Sequence, residues 1–124
     1  MRRYNDALRD AYLRPDPDLV ARYTTPEEHS RVTEYILYLL KQERLLSCDL
    51  HELTVVETRV EDSEVSVRTK ERWTCTKISS ETRLPAEEEE IFSQEVLYRL
   101  VLQEGRWVIS ELEVVSPHSS VDTT

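Results

Sequence analysis

The sequence predicts an α+β domain in which N-terminal helices pack on a curved, mostly antiparallel sheet of four or more strands. Apolar residues recur with a helical period through roughly the first third of the chain. Through most of the remainder they alternate with polar residues, which is the period of a half-buried strand. Helices followed by strands are the segregated order typical of an α+β fold.

Two breaks divide the helical part of the chain into three predicted helices. The first helix ends before Pro15, because proline disfavours a helical conformation at the preceding residue. Asp16 then caps a short second helix that has a proline at its first position. Thr25 begins the third helix as an N-cap, and Glu28 completes a capping box. We expect this third helix to end near Arg44.

The most regular alternation runs from Val65 to Ile78, and it predicts the strand around which the sheet is built. The apolar side of this strand carries Trp73 and also, out of pattern, Glu71. In the preceding strand the alternation changes phase between Leu50 and Leu53, which indicates a bulge or a bend. The four predicted strands are Cys48 to Val60, Val65 to Ile78, Phe92 to Gln103 and Arg106 to Val115.

A single domain is predicted for residues 1–116, because a chain of 124 residues suits one hydrophobic core. Residues 117–124 contain a proline and small polar side chains, so we expect them to form a flexible tail. Between the second and third strands the chain is polar and includes the run Glu87 to Glu90, which predicts a solvated loop.

The composition argues against several classes of function. Gly105 is the only glycine, so the chain cannot build a glycine-rich phosphate loop or a dinucleotide fingerprint. A net charge of -9 disfavours nucleic acid as a partner. No apolar run reaches the length of about 18 residues that spans a membrane, and no signal peptide is visible. We therefore expect no direct membrane insertion, and either a cytoplasmic protein by default or a soluble domain excised from a membrane-anchored protein.

The last two strands are predicted to form a hairpin with a tight turn at Glu104-Gly105. Counting outward from this turn, Trp107 opposes Leu102 and Glu111 opposes Tyr98. Both faces of the hairpin are then apolar, and the helices can cover only one of them. We expect a homodimer to cover the other face. The predicted dimer interface consists of Leu97, Val101, Val108 and Leu112.

Glu71 is the most unusual residue of the central strand, because a carboxylate buried without a partner costs several kcal/mol. We favour a hydrated position for Glu71 at the sheet edge or at the mouth of a cone. In the alternative, Glu71 lines a ligand-binding site with Trp73, Tyr98 and Glu111. A carboxylate beside a phenol can transfer protons, so Glu71, Tyr98 and Glu111 are the candidate catalytic residues. Trp73 can stack a flat ligand, although a core position is more common for tryptophan.

The cysteines and histidines predict no metal site, and no cofactor is expected. No two histidines have the spacing of metal ligands. Simple pairing places Cys75 opposite Leu50 and leaves Cys48 diagonal to Cys75, where the Cα separation often exceeds that of a disulfide. A disulfide requires the bulge to shift the register, and we expect two reduced thiols.

Two segments give the chain a resemblance to a known family: E-R-W-T-C at residues 71–75 and Y-R-L-V-L-Q-E-G-R-W-V-I at residues 98–109. With the order of helices and bent sheet, they resemble the NTF2-like (SnoaL-like) superfamily. The nearest resemblance is to the intermembrane-space-type domain of plastid-division proteins and their bacterial relatives. It covers nearly the whole chain and implies a cone-shaped fold with a pocket between sheet and helix.

The resemblance implies a binding or dimerisation module more often than an enzyme. The leading hypothesis is therefore a non-catalytic NTF2-like module that binds a partner protein or peptide, and it is compatible with a terminal domain of a larger protein. The alternative is a small SnoaL-type enzyme or small-ligand-binding protein that uses an acidic and aromatic cone pocket. An enclosed pocket of about 300 Å³ or more with convergent polar groups would favour the alternative.

Overall fold

A computed structural model describes the backbone of residues 2–119 and the side chains of residues 3–115. The helices are α1 (Arg2–Leu13), a 3-10 helix (Pro17–Tyr23) and α2 (Pro26–Lys41). The strands are β1 (Arg44–Glu61), β2 (Glu64–Ser79), β3 (Glu90–Gln103) and β4 (Arg106–Ser119). All neighbouring strands pair antiparallel in the order β1-β2-β3-β4, and the helices pack against this sheet. The predicted α+β class is confirmed.

The boundary between the helices and the sheet lies earlier than the sequence predicts. The N-cap of α2 is as expected, because Thr25 Oγ1 accepts the backbone N–H of Glu28 at 3.3 Å. The reciprocal half of the predicted capping box is wrong, because the Glu28 carboxylate accepts from Arg31 instead of from the Thr25 N–H. However, α2 ends at Lys41, and Arg44 already belongs to β1. Glu43 lies between them with φ of 58°, in the left-handed region. A residue in this conformation ends the helix and redirects the chain into the sheet.

Two bulges in β1 set the register of the first hairpin. One lies between Leu50 and Glu52, which confirms the bulge predicted between Leu50 and Leu53. The second lies between Val55 and Glu57 and was not predicted. Each bulge inserts an extra residue into β1 without a counterpart in β2, so the shifts add along the strand.

The combined shift places Cys48 directly opposite Cys75, where uninterrupted pairing places Leu50. The two Cα atoms are 4.1 Å apart and the cysteines form a disulfide. The prediction of two reduced thiols is therefore wrong, because the bulges bring the sulfur atoms into register. A disulfide that joins positions 27 residues apart typically stabilises a fold by about 2–4 kcal/mol.

A bulge in the second hairpin changes its pairing in a similar way. The pairs next to the turn are as predicted, but the register shifts between Arg99 and Leu100. Glu111 consequently opposes Arg99, and Leu112 opposes Tyr98. The predicted opposition of Glu111 and Tyr98 is wrong. The same shift moves Leu112 from the outer face of the sheet to the inner face, which the helices cover.

The predicted dimer interface is only partly available on the outer face. Val101 opposes Val108 across the strands, and Val108 is only 6% exposed within a single chain. Leu97 and Val101 are half-buried. Leu112 packs instead against the core on the inner face. The outer face therefore exposes less apolar surface than the sequence predicts.

The core lies between the inner face of the sheet and the helices. Its buried side chains are Tyr4, Ala11, Val20, Val32, Ile36, Val96, Tyr98 and Ile109. The rings of Tyr4 and Tyr98 meet edge to face with their centroids 6.3 Å apart. The backbone N–H of Thr25 donates to the carbonyl of Ile109 at 2.9 Å, which ties the start of α2 to β4.

Strand β4 extends to Ser119, past the end predicted at Val115. The predicted tail, 117–124, begins within this strand, and residues 120–124 lie outside the described residues. The domain boundary at residue 116 stays a prediction. No helix within residues 2–119 is long and apolar enough to cross a membrane.

Candidate functional site

The carboxylate of Glu71 lies on the inner face of the sheet and is almost fully buried, with 3% exposure. Trp73 Nε1 donates to Glu71 Oε1 at 2.8 Å. The hydroxyl of Thr69 donates to Oε2 at 2.7 Å, and the hydroxyl of Tyr98 donates to the same oxygen. The expectation of a hydrated Glu71 at the sheet edge is therefore wrong. The alternative, a buried acid with partners, describes its environment.

Three elements bring these groups together. Alternation along β2 places Thr69, Glu71 and Trp73 on one face. Tyr98 of β3 pairs with Val67, and its long side chain reaches along the inner face to Glu71. Helix α1 contributes Asn5, whose Nδ2 donates to the Tyr98 hydroxyl oxygen at 3.1 Å. We call Asn5, Thr69, Glu71, Trp73 and Tyr98 the Glu71 network.

The environment of the network keeps the Tyr98 hydroxyl protonated. Burial raises the pKa of Tyr98 well above its ordinary value, because the phenolate would lose its hydration. The negative charge of Glu71 and the hydrogen bond to it raise this pKa further. Tyr98 therefore acts as a hydrogen-bond donor to Glu71.

Glu111, the third predicted acid, lies apart from the network. Its Oε2 is 3.5 Å from Arg99 Nη1, and its side chain is 59% exposed. The bulge in the second hairpin places it opposite Arg99 instead of Tyr98. Of the four predicted ligand-binding residues, the structure brings together Glu71, Trp73 and Tyr98 and leaves out Glu111.

A pocket of about 160 Å³ lies next to the network, between α1 and the inner face of the sheet. We call it the α1 pocket. Helix α1 contributes Asn5, Leu8, Arg9 and Tyr12 to its lining. The sheet contributes Leu46, Cys48, Glu71, Trp73, Cys75, Phe92, Gln94, Val96, Tyr98 and Leu112. Aromatic and aliphatic side chains predominate, and the disulfide forms part of the wall.

Sequence reasoning missed Asn5 and the disulfide as parts of this site. Asn5 is only 3% exposed, and its contact with Tyr98 joins residues 93 positions apart. A contact between distant elements leaves no local pattern in a single sequence. For the disulfide, the available signal was the phase change in β1, which accounts for only one of its two bulges.

The described part of the chain offers no evident metal-binding cluster. Within residues 2–119, no three His, Cys, Asp or Glu side chains are grouped so that they could hold a metal ion. His29 Nε2 lies 3.1 Å from Asp18 Oδ1, and His51 Nε2 lies 2.6 Å from Thr74 Oγ1. Each of these two imidazoles thus has a polar partner; His29 is half-buried and His51 is exposed.

Comparison with solved structures finds the same fold at low sequence identity. The crystal structure of the intermembrane space region of the chloroplast protein ARC6 superposes with a TM-score of 0.79 and 11% identity. The match covers 93% of this chain and 90% of that chain. The fold is NTF2-like. The predicted fold class is thereby confirmed, and the resemblance to intermembrane-space-type domains holds at the level of the fold.

A second similar structure is that of TsrD from Streptomyces laurentii. Its TM-score is 0.45 at 16% identity, and the match covers 92% of this chain and 87% of that chain. No protein-family profile and no curated protein sequence matches this chain.

We predict that the Glu71 network stabilises the fold. Glu71→Gln places an amide N–H against groups that themselves donate, and an unsatisfied buried donor costs about 1–3 kcal/mol. Tyr98→Phe removes one donor to the carboxylate and should cost about 1.5–3 kcal/mol. Because the two residues share one hydrogen bond, the double variant should lose less stability than the sum of the two. Urea unfolding of the three variants measures this coupling.

Glu111→Gln is the matched control, because it alters an exposed carboxylate of the same sheet and should change stability by less than about 0.5 kcal/mol. A Glu71→Gln variant as stable as the unchanged chain would contradict a structural role for the network.

We also predict that stability falls at alkaline pH. The pKa of Tyr98 is raised in the folded state above its ordinary value of 10.0, so the folded chain holds this proton more tightly than the unfolded chain. This contribution is complete below the unfolded pKa and is lost as pH rises toward the folded pKa. Burial also raises the pKa of Tyr12 to about 12, which adds a loss of the same sign.

Between about pH 10 and about pH 12, each such tyrosine should lower the free energy of unfolding by up to about 1.4 kcal/mol per pH unit. Urea midpoints measured across this range test the slope. Tyr98→Phe starts from a lower stability but should show a shallower decline. An identical slope in Tyr98→Phe would show that Tyr98 does not contribute.

Proposed function

We propose that this chain is a non-catalytic NTF2-like binding module whose α1 pocket receives one apolar side chain of a partner protein or peptide. The size of the pocket, about 160 Å³, carries this proposal. Small-molecule sites commonly measure about 300–1,000 Å³, whereas an apolar cavity of about 150 Å³ accommodates a single benzene ring. The α1 pocket therefore suits one aromatic or branched side chain better than a whole small-molecule substrate.

The Glu71 network supports a non-catalytic role. A general acid or base must exchange a proton with a bound substrate. Both oxygens of Glu71 already accept hydrogen bonds from within the chain, and the raised pKa of Tyr98 makes its proton difficult to remove. In this proposal Glu71 and Tyr98 support one end of the pocket, and Trp73 forms part of its wall.

One observation favours the alternative of a SnoaL-type enzyme or small-ligand-binding protein. Glu71 and Tyr98 line the α1 pocket in spite of their burial, so a small polar ligand at this end could exchange hydrogen bonds with them. A ligand of this kind would depend on the carboxylate, whereas an apolar side chain would depend on the volume of the pocket. The two functions therefore respond differently to Glu71→Gln and to a substitution that fills the pocket.

We predict that N-acetyl-phenylalaninamide, a mimic of one apolar side chain, binds in the α1 pocket. In an NMR titration it should produce saturable shifts at backbone amides of Leu8, Trp73 and Phe92, while N-acetyl-asparaginamide should not. Leu8→Trp fills the pocket and should abolish these shifts. Leu102→Trp adds the same side chain at a position that is 50% exposed and outside the pocket, so it should leave them unchanged.

Shifts that persist in Leu8→Trp would place the binding elsewhere and contradict the proposal. Because overpacking destabilises folds by about 1–3 kcal/mol, the folding of each variant is checked by its amide spectrum before titration. Loss of binding in Glu71→Gln with retained binding in Leu8→Trp would favour the small polar ligand instead.

We propose self-association as a second property of the module. Leu102 and Trp107 oppose each other next to the β3–β4 turn and are 50% and 46% exposed. Val60 lies next to the β1–β2 turn, at the same end of the sheet, and is 72% exposed. Exposed apolar patches commonly mark protein contacts. This turn end exposes more apolar surface than Leu97 and Val101 on the outer face.

Light scattering at micromolar concentration should then give a mass of twice 14.6 kDa. Trp107→Glu should return the mass to 14.6 kDa, because it places a charge in the contact. Leu97→Glu places a charge on the outer face and tests in the same way whether that face forms the contact. A mass of 14.6 kDa for the unchanged chain at every concentration would contradict self-association.

A further inference from the structure

The α1 pocket continues into a second groove, so that the two form one surface. Leu46, Cys75 and Phe92 line both. The second groove measures about 320 Å³ and has Tyr35 of α2 in its wall. The ring of Tyr35 meets that of Tyr12, in the α1 pocket, edge to face at 5.4 Å. A chain segment anchored in the α1 pocket can therefore extend into the second groove without leaving the surface.

Negative charge predominates in this second groove. Its lining includes three carboxylates, from Glu87, Glu88 and Glu90, and one basic side chain, Lys77. Arg44 Nε contacts the Glu87 carboxylate at 3.2 Å. Glu88 and Glu90 are exposed and form no ion pair with any residue in the described part of the chain. We call this region the acidic groove.

The glutamates of the acidic groove are held in place by the backbone, although the run is as exposed as the sequence predicts. The N–H groups of Ala86 and Glu87 donate to the carbonyl of Lys77 at 2.9 and 3.2 Å. Glu90 begins β3 and pairs with Cys75 of the disulfide. The backbone that carries these glutamates is therefore held next to the apolar surface shared by both grooves, instead of forming a detached loop.

We infer that the acidic groove selects partner segments that carry lysine or arginine next to the apolar residue held in the α1 pocket. This inference rests on the proposed function and specifies its partner as a basic, apolar peptide segment of another protein. Complementary charge at the rim of an interface increases both specificity and the rate of association. These carboxylates repel phosphate groups, and so does the net charge of -9 on the whole chain, which disfavours nucleic acid and acidic lipid surfaces.

Three synthetic Gly-Ser peptides, each with the same fluorescent label at the N-terminus and an amidated C-terminus, test this inference. Each carries one phenylalanine, flanked by lysines, by glutamines or by glutamates, and binding is followed by fluorescence anisotropy with the full chain. The lysine peptide should bind about tenfold more tightly than the glutamate peptide at low salt, with the glutamine peptide between them. Added salt should reduce this difference, because exposed charges are screened over about 8 Å at physiological ionic strength.

The double variant Glu88→Gln/Glu90→Gln should weaken binding of the lysine peptide by about threefold to tenfold and leave the glutamine peptide unaffected. The matched control, Glu61→Gln/Glu104→Gln, removes the same charge at the turn end of the sheet, where both residues are exposed. It should leave all three affinities unchanged. Equal weakening by both double variants would indicate attraction by net charge alone and would overturn the inference.

The failure of this inference is distinguishable from failure of the proposed function. Suppose that the glutamine peptide binds, that Leu8→Trp abolishes its binding, and that lysines add no affinity. The proposal that the α1 pocket binds an apolar side chain is then supported, and the inferred preference for basic segments is wrong. If the lysine peptide binds equally well to Leu8→Trp, no apolar side chain is held in the α1 pocket, and both proposals are overturned.

Discussion

The buried carboxylate of Glu71 constrains the arrangement of the whole inner face. A carboxylate removed from water is tolerated only where donors replace its hydration, and here the donors come from different elements. Thr69 and Trp73 belong to its own strand, Tyr98 reaches it from β3, and Asn5 connects α1 through the Tyr98 hydroxyl. Because each donor must keep its position, the network fixes how α1 lies over the sheet and therefore how much space remains beneath it.

The helices and strands were predictable because their signals are local, whereas the register of the hairpins was not. A capping threonine at Thr25 and the alternation from Val65 to Ile78 each lie within one element. A bulge appears in sequence only as a change in phase of the alternation. Between Leu50 and Leu53 that change is visible, but at Val55 and Val56 two apolar residues are adjacent and the phase is ambiguous. The two bulge residues left out of the count are what separated the two cysteines in the prediction.

The site residues that lie on β2 could be predicted from the alternation of that strand. The contacts that depend on the tertiary structure could not. Glu71 was identified because it breaks the apolar face of β2, and its neighbour Trp73 follows from the same alternation. Tyr98 lies beside Glu71, as the sequence predicts, but Glu111 was included by counting across a bulge, which turned a distant surface acid into an apparent neighbour. Asn5 depends on how α1 docks on the sheet, and no pattern within the helix specifies that contact.

The hydrogen bonds that the Glu71 carboxylate accepts within the chain bear on the proposed function of the fold. A sheet that bends over helices leaves a hollow, and in this chain Trp73, Tyr98 and α1 occupy much of it. The space that remains, about 160 Å³, has one polar end, formed by Glu71 and Tyr98, whose hydrogen bonds are made within the chain. Its other walls are mostly apolar.

Apolar walls can bind many apolar side chains with similar affinity. Discrimination between ligands must therefore come from charged residues at the edge of the pocket. The acidic groove, whose lining includes three glutamates and one lysine, is continuous with these walls. In the proposed binding module, the shape of the α1 pocket would hold the apolar side chain of the partner. The negative charge of the acidic groove would select partners that carry basic residues.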